Sequence, residues 1–367
     1  MNPKKHCRTI LFLICVCLSL FCACNSSGNH GTTQTPDEAA KNDSYLVIPL
    51  TSGEVSPISA CSYDLLNTVS TIQIYDSTDY NILNGCFAVI DKYEKIFSRT
   101  LEGSEVYNIN HSPETTFTVS DELKELLALA LPYCALSDGA FDISVAPLTS
   151  LWNFTDLDHK TTPPAVSDIQ SALALVDYKD ITLDGNTLTF AKPGMQLEFG
   201  AIAKGFIADK VKEYLLANGV QSAIINLGGN ILLVGEKPDG SAFKTGIQKP
   251  FEDRDAVVVA ITDLRDMSMV SSGIYERYFY DENGTFYHHI LDPKTGYPVA
   301  ADLLQVTIIS KSSAMGDALS TTCFALGLKK GMDFIHSLPD VYAVFITSDG
   351  KLHFSDGYLE NLPTRTN

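Results

Sequence analysis

Two stretches of the sequence place charged or hydroxyl groups at spacings that suit a phosphorylated ligand. The first, from Leu197 to Phe206, begins as a predicted strand, turns through small residues and opens a helix that runs to about Asn218. Glu198 precedes the turn and Lys204 falls in the first helical turn, where free N–H groups and the helix dipole favour phosphate. A plain strand–turn–helix connection with a surface lysine would have the same sequence, so this stretch alone leaves both interpretations open.

The second stretch places a carboxylate and a hydroxyl on one helical face. Asp317 and Thr321 are four residues apart, behind the predicted helix cap at Ser312 and Ser313, in a helix expected to end near Gly327. Oxygen ligands of this kind suit Mg²⁺, which often shares its coordination shell with phosphates. The alternative is an ordinary first-turn aspartate and a threonine bonded back to its own backbone.

A pair of adjacent histidines, His288 and His289, precedes a turn formed by Asp292 to Gly296. Neighbouring residues on a strand point to opposite faces, so the two imidazoles cannot simply share one metal ion. One of them could enter a site as a proton acceptor, because the ordinary pKa of histidine lies near neutrality. A structural role on the strand is the alternative.

Two further segments could line a ligand. Ala140, Phe141 and Asp142 begin a loop that closes on the only tryptophan, Trp152, and this loop could contact a cofactor or simply pack. The paired glycines of the segment 226–230 would allow a close backbone approach, although ordinary turns also use them.

The elements that must position these groups form an α+β pattern. Helices with one apolar face are predicted after Ser77–Asp79 and after Ser120, the second bent or ended early by Pro132. Hairpin turns are predicted at Asp184–Asn186, at Glu282–Gly284 and at Asp349–Gly350. Further strands are predicted over 222–227, 231–234, 256–263 and 305–310. Strands and hairpins with only a few long helices favour α+β over a regular βαβ repeat, in one domain spanning 45–367.

Composition limits the partners. The 367-residue chain is 45% hydrophobic and has a formal net charge of −18, which argues against nonspecific binding of nucleic acid. An anionic ligand would be repelled unless a metal ion or a local basic group intervenes. Cys86, Cys134 and Cys323 lie on apolar helical faces without zinc-site spacing, so buried thiols are expected.

The N-terminus predicts export. Residues 1–23 have a basic start and a short apolar run, which is typical of a secretory signal peptide. Ala23 before Cys24 resembles a bacterial lipoprotein cleavage site, although Phe21 stands where leucine is usual. Lipidated Cys24 would then anchor the protein to the cell membrane outside the cytoplasm, through a flexible tether over 24–44. An uncleaved anchor and simple secretion are the alternatives.

Together these segments resemble the ApbE family, the FAD:protein FMN transferases. The resemblance covers roughly residues 60–355, and its motifs occur in the family's order. They are Ser104-Glu105 through Asn110, the Ala-Phe-Asp loop with its Leu-Trp-Asn-Phe tail, Glu198–Lys204, Asn226–Gly229, Ser271–Gly273 with Tyr275–Arg277, His289 with Asp292-Pro293, and Asp317 with Thr321.

The resemblance implies a single ApbE-like domain and an Mg²⁺-dependent transfer of FMN from FAD to a threonine of an acceptor flavoprotein, releasing AMP. It also implies that His289 is the base and that the Ala201 carbonyl, Asp317 and Thr321 hold Mg²⁺. The implied FAD contacts are Leu66, Ala140, Phe141, Asp142, Glu198, Lys204 and Leu291.

Three positions depart from the family pattern. Leu66 stands where many relatives have methionine, the loop 98–100 lacks an aromatic residue that some relatives place there, and Glu198 stands where aspartate is also common. An Mg²⁺-dependent FAD pyrophosphatase that forms FMN and AMP, and a flavin-binding lipoprotein without catalysis, are the alternative functions.

Overall fold

A nine-stranded antiparallel sheet organises the protein, with strand order β1-β2-β3-β7-β8-β11-β14-β15-β16. The computed structural model describes residues 45–51, 57–155, 162–252, 258–300 and 302–366, all within one compact unit. The strands in these ranges are β1 (Ile48–Pro49), β2 (Ile58–Ser62), β3 (Ser70–Ile74), β4 (Thr116–Thr118), β5 (Ile181–Asp184), β6 (Thr187–Phe190), β7 (Ser222–Leu227), β8 (Asn230–Gly235), β9 (Phe243–Gln248), β10 (Val258–Leu264), β11 (Ser268–Gly273), β12 (Tyr278–Tyr280), β13 (Phe286–His288), β14 (Leu303–Ser310), β15 (Tyr342–Thr347), β16 (Leu352–Phe354) and β17 (Thr364–Thr366).

Helices cover one face of this sheet. The helices in the same ranges are α1 (Tyr80–Phe97), α2 (Glu105–Asn110), α3 (Asp121–Leu136), α4 (Ala146–Trp152), α5 (Val166–Leu173), α6 (Ala203–Ala217), α7 (Ser313–His336) and α8 (Tyr358–Asn361). Apolar side chains of α1, α3 and α6 form the largest core with β2, β3, β7 and β8, and α7 forms a second core with β14 and β15. The large sheet therefore presents α6 and α7 side by side.

The other face of the sheet packs against a small sheet of order β17-β10-β9 and against α8. Because both faces of β14 are covered, seven of its eight residues are buried, including the polar Gln305, Thr307 and Ser310. At the sheet's start, β3 instead alternates buried and half-buried residues with the two-residue period of a strand. The α+β prediction is confirmed.

Several predicted elements agree with the structure. The predicted strand 222–227 is β7, and the turn Asp184–Asn186 joins β5 to β6. Helix α3 continues for four residues beyond Pro132 instead of ending there. Gly327 has φ 74° and breaks α7, so the predicted helix end is a break between two helical stretches.

One predicted strand is wrong. The segment Leu197–Phe199 has no strand partner, because the side chain of Asn110 satisfies the Leu197 backbone. Asn110 Oδ1 accepts from the Leu197 N–H at 2.7 Å, and Asn110 Nδ2 donates to the Leu197 carbonyl at 2.9 Å. The Glu198 N–H donates to the Ile143 carbonyl at 2.8 Å. Side chain and loop backbone thus replace a strand ladder.

The predicted signal peptide 1–23, the lipidated Cys24 and the tether 24–44 lie outside the described residues. Across the described ranges, we find no helix with both the length and the hydropathy required to cross a membrane. Cys61, Cys86, Cys134 and Cys323 are buried free thiols, as expected for the last three.

Candidate active site

The centre of the candidate site is the contact between the first turns of α6 and α7. At Gly205, a Cβ atom would lie 2.2 Å from the Ser313 carbonyl oxygen and 2.7 Å from the Ala314 Cα. Real Cβ atoms do not approach this closely, so glycine is required for the two helices to meet. This contact brings Lys204 on α6 next to Asp317 on α7, which are 113 positions apart in the sequence.

Each helix caps the other. Helix α6 begins after Ile202, which has no side-chain cap, and Asp317 Oδ2 accepts from the Gly205 N–H at 2.9 Å instead. In return, Asp209 on α6 accepts from the Ser313 N–H at 2.9 Å and from the Ala314 N–H at 3.0 Å at the start of α7. Unpaired N–H groups at helix starts need such acceptors. The capping therefore fixes the relative position of the two helices.

Asp317 and Lys204 form a loosely spaced pair at this junction. The Asp317 side chain is 5% exposed, and its Oδ1 lies 3.8 Å from Lys204 Nζ. Lys204 Nζ also donates to the Gly200 carbonyl at 3.1 Å, which holds the lysine over the turn that contains Ala201. A positive side chain and a helix N-terminus thus lie beside a buried carboxylate. The positive side chain and the helix N-terminus suit an anionic ligand.

Thr321 lies one helical turn after Asp317, as predicted. Its Oγ1 is 3.2 Å from Ser272 Oγ, which also lies 2.7 Å from Ser320 Oγ. The Asp317 carboxylate, the Thr321 hydroxyl and the Ala201 carbonyl are hard oxygen donors of the type that Mg²⁺ prefers. Asp317 Oδ1 lies 3.8 Å from Lys204 Nζ, longer than a hydrogen bond, so this donor set fits a magnesium ion that retains water or phosphate ligands.

Within the described residues, no cluster of three or more histidine, cysteine, aspartate or glutamate side chains has the geometry of a metal site. The Mg²⁺ interpretation therefore depends on one carboxylate and on hydroxyl and carbonyl oxygens. Magnesium commonly binds proteins through one or two carboxylates and completes its shell with water and phosphate oxygens.

Glu198 is held by three neighbours. Its Oε2 pairs with Arg99 Nε and accepts from Thr149 Oγ1 at 3.1 Å, while its Oε1 accepts from the Gly200 N–H at 2.8 Å. The carboxylate therefore ties the turn before α6 to the loop after α1 and to α4. Arg99 was not predicted from the sequence, where its one signal is that it is the single basic residue between α1 and α2.

The loop at Ala140 has the packed form that the sequence left open, and its FAD contacts stay a prediction. The Phe141 side chain is part of the core, and Asp142 accepts from the Ser144 N–H at 2.8 Å, from Ser144 Oγ at 2.6 Å and from the Tyr178 N–H at 3.0 Å. Burial raises the pKa of Asp142 against these hydrogen bonds. The side chains of Phe141 and Asp142 thus shape the loop, and only Ala140 is partly accessible.

His289 follows β13 and lies half-buried next to Arg277. Its Nδ1 is 3.2 Å from the Arg277 carbonyl oxygen, so Nδ1 carries the proton and Nε2 has the free lone pair. Burial lowers the pKa of His289 to about 3, and the positive charges of Arg277 and Lys204 contribute. Of these influences, that of Lys204 is the weakest.

His288 points to the interior, as expected for the neighbour of a site residue on a strand. Its Nε2 donates to the Val299 carbonyl at 3.1 Å, and its Nδ1 accepts from the Ile290 N–H at 3.3 Å. Burial lowers its pKa to about 4. Leu291, two residues beyond His289, is buried and forms an isolated bridge with Pro298.

Leu66 lies at the other end of the candidate region. It has φ 58°, and its N–H donates to Glu94 Oε1 at 2.9 Å. The nearby Thr68 side chain closes on Gly228, where a Cβ atom would lie 2.3 Å from Thr68 Oγ1. The structure thus brings the Leu66 segment to the glycine turn between β7 and β8, and Asn230 after this turn accepts from Ser313 Oγ at 2.6 Å.

Comparisons with known proteins identify the family. The model of the ApbE family matches residues 66–346. An FAD:protein FMN transferase of Klebsiella pneumoniae is 36% identical over 294 residues, which cover 79% of this chain and 90% of that protein. One from Treponema pallidum is 32% identical over 320 residues, covering 81% and 87%.

Solved structures agree as well. The apo form of the Pseudomonas stutzeri flavinyl transferase ApbE matches with a TM-score of 0.73 at 30% identity, over 85% of this chain and 98% of that one. The flavin transferase ApbE of Vibrio cholerae has the same TM-score at 24% identity, covering 86% and 99%, and so shows the likeness of fold. Because a family model and relatives above 30% identity span most of its length, this chain belongs to the ApbE family.

Proposed function

We propose that this protein is an FAD:protein FMN transferase, which moves the FMN part of FAD to a threonine hydroxyl of an acceptor protein and releases AMP. Its relatives carry this name. The observation that carries the proposal is the meeting of Lys204 and Asp317 where α6 and α7 begin, with Thr321 one helical turn further along α7. These groups offer positive charge and oxygen ligands together, and His289 is the candidate proton acceptor.

The chemistry needs an acceptor oxygen, a leaving group and control of negative charge. The threonine oxygen forms a bond to the phosphorus of the FMN half, and the bond from this phosphorus to the bridging oxygen breaks, so that AMP leaves. Such phosphoryl transfer depends mainly on positioning and charge stabilisation. Magnesium bound by the Ala201 carbonyl, Asp317 and Thr321 would supply a Lewis acid for the pyrophosphate oxygens.

The side chains of this chain contribute two further effects. Lys204, in the first turn of α6, binds the pyrophosphate and locally offsets the negative charge of the protein. His289 keeps Nε2 free to accept the hydroxyl proton, because Nδ1 donates to the Arg277 carbonyl. An anionic pyrophosphate near His289 raises the pKa of this imidazole above its low value in the free protein and thereby strengthens it as a base.

The test combines the protein with FAD, Mg²⁺ and a flavin-acceptor domain, and measures AMP together with flavin fluorescence that stays on the acceptor after denaturation. We expect both products in equal amounts. AMP without protein-bound flavin would identify a pyrophosphatase, and FAD binding with neither product would identify a flavin-binding protein.

The His289→Asn variant tests the base. We expect it to lose transfer while it keeps most of its affinity for FAD, because the imidazole acts on the acceptor hydroxyl. An equal loss of transfer and of FAD binding would show instead that His289 maintains the shape of the site.

We also propose that the protein acts outside the cytoplasm, anchored to the bacterial cell membrane through Cys24. The basic and apolar start of the sequence and the Ala23-Cys24 pair support this proposal. Replacement of Cys24 by alanine should move the protein from the membrane fraction to the soluble fraction. Unchanged membrane attachment would favour an uncleaved anchor.

A further inference from the structure

The ion pair between Arg99 and Glu198 lies next to the turn that leads into the site. Arg99 Nε pairs with Glu198 Oε2, and Arg99 Nη1 donates to Ser150 Oγ at 3.3 Å. Both side chains are largely covered, at 21% and 18% exposure. Shielding of this kind strengthens a charge pair relative to one in open water.

Among the described residues, Arg99 is also the only cation in close contact with Glu198. The other groups that bond this carboxylate are neutral, namely the Thr149 hydroxyl and the Gly200 N–H. Without Arg99, Glu198 would keep a full negative charge in a partly buried position. It stands six residues before Lys204, on the turn that we propose to face a pyrophosphate.

The carboxylate also shapes this turn. Its hydrogen bond to the Gly200 N–H fixes the residue before Ala201, and the Gly200 carbonyl in turn accepts from Lys204 Nζ. The contacts therefore form a chain from Arg99 through Glu198 and Gly200 to Lys204. A displacement of Glu198 would therefore also displace Lys204, through the hydrogen bonds of Glu198 and of Lys204 to Gly200.

We propose that Arg99 is a positioning residue for the cofactor site. It neutralises Glu198 and holds this carboxylate against the turn, so that the turn presents Lys204 to an anionic dinucleotide without a nearby unpaired negative charge. Arg99 acts through Glu198 and makes no contact with the cofactor itself. This inference deepens the proposed function, because it depends on FAD binding at the turn.

A double-mutant cycle separates an indirect role of Arg99 from a direct one. The Kd for FAD is measured by flavin fluorescence for the unmodified protein, Arg99→Met, Glu198→Gln and the double variant. We expect Arg99→Met to raise the Kd at least tenfold in the unmodified protein, but less than threefold when Glu198 is already Gln. The same factor in both backgrounds, or no effect in either, would overturn the proposal.

Two more variants sharpen the result. Arg99→Lys keeps the positive charge and should stay within threefold of the unmodified Kd, whereas a loss as large as that of Arg99→Met would contradict neutralisation as the mechanism. Arg265→Met is the control. It removes an exposed arginine that pairs with Glu236, and it should leave the Kd for FAD unchanged. With transfer assays, the Arg99→Met defect should appear in KM for FAD more than in kcat.

Thermal unfolding without FAD provides a second cycle with the same four proteins. A non-additive change in Tm shows that Arg99 and Glu198 are coupled in the free protein, and additive changes would refute the coupling. If the unmodified protein fails to bind FAD, the proposed function fails, whereas this second cycle still decides whether Arg99 holds Glu198.

Discussion

Asp209 provides the sharpest test of how the site is built. It lies on α6, and it receives hydrogen bonds from the Ser313 N–H, the Ala314 N–H and Ser312 Oγ at 2.9 to 3.0 Å. The change to alanine leaves two N–H groups at the start of α7 without their acceptor. A helix cap contributes about 1 kcal/mol, and each buried unpaired group costs about 1–3 kcal/mol. We therefore expect Asp209→Ala to lower the free energy of unfolding by about 2–4 kcal/mol.

The charge of Asp209 should matter less than its acceptor atoms. Burial raises the pKa of Asp209 against the three hydrogen bonds that it accepts, so burial opposes its charged form. Asparagine keeps one acceptor oxygen for an N–H of α7. We expect Asp209→Asn to cost about half as much as Asp209→Ala.

Urea unfolding at pH 7 measures these differences, provided that the slope with denaturant stays constant between variants. Glu213→Ala is the matched control, because Glu213 is an exposed acidic residue on the same helix and pairs with Lys210 at 3.1 Å. This control should cost no more than about 0.5 kcal/mol. An Asp209→Ala variant as stable as the control would refute reciprocal capping as the device that joins α6 to α7.

Three other predictions concern Gly205, His288 and Asp317. Gly205→Ala should destabilise the protein in thermal unfolding, although alanine usually favours a helix by about 1 kcal/mol, because its Cβ would overlap the Ser313 carbonyl. The fold favours the neutral form of His288, because burial lowers its pKa from 6.5 to about 4. The free energy of unfolding should therefore be highest above pH 6.5 and should decline by about 3 kcal/mol towards pH 4. This decline should be smaller in His288→Gln. Asp317→Asn should stay folded, because its side-chain oxygen can still accept from the Gly205 N–H, but it should lose FMN transfer and the rise of Tm with Mg²⁺. Asp317→Ala should show the same losses and should also be about 1 kcal/mol less stable.

Local patterns predicted the elements well where one side of the chain meets a core. The apolar face of α1, its cap at Asp79 and the strand β7 all follow from periodicity and from capping residues. The prediction failed at Leu197–Phe199, where the partner of the backbone is the side chain of Asn110, 87 positions earlier. No periodicity within the segment could show this contact.

The residue types of the candidate site could be predicted from the sequence, but the hydrogen bonds and ion pairs that join its elements mostly could not. Asp317, Thr321 and Lys204 were found because a helix pattern and a family resemblance pointed to them, and the structure places them together. Asp209 and Arg99 were missed because their partners lie about 100 positions away in the sequence. A carboxylate that caps another helix has no local signal that separates it from a surface acid.

The loose spacing of Lys204 and Asp317 explains how so acidic a protein can hold an anionic dinucleotide. A charge-assisted hydrogen bond between such groups is about 2.7–2.9 Å long, whereas these atoms are 3.8 Å apart. Lys204 is therefore not committed to the carboxylate, and its hydrogen bond to the Gly200 carbonyl keeps its charge over the turn before α6. Asp317 does not depend on this lysine either, since the Gly205 N–H already bonds its other oxygen. Cation and carboxylate are thus held close together but remain available, the one for an anion and the other for a metal ion.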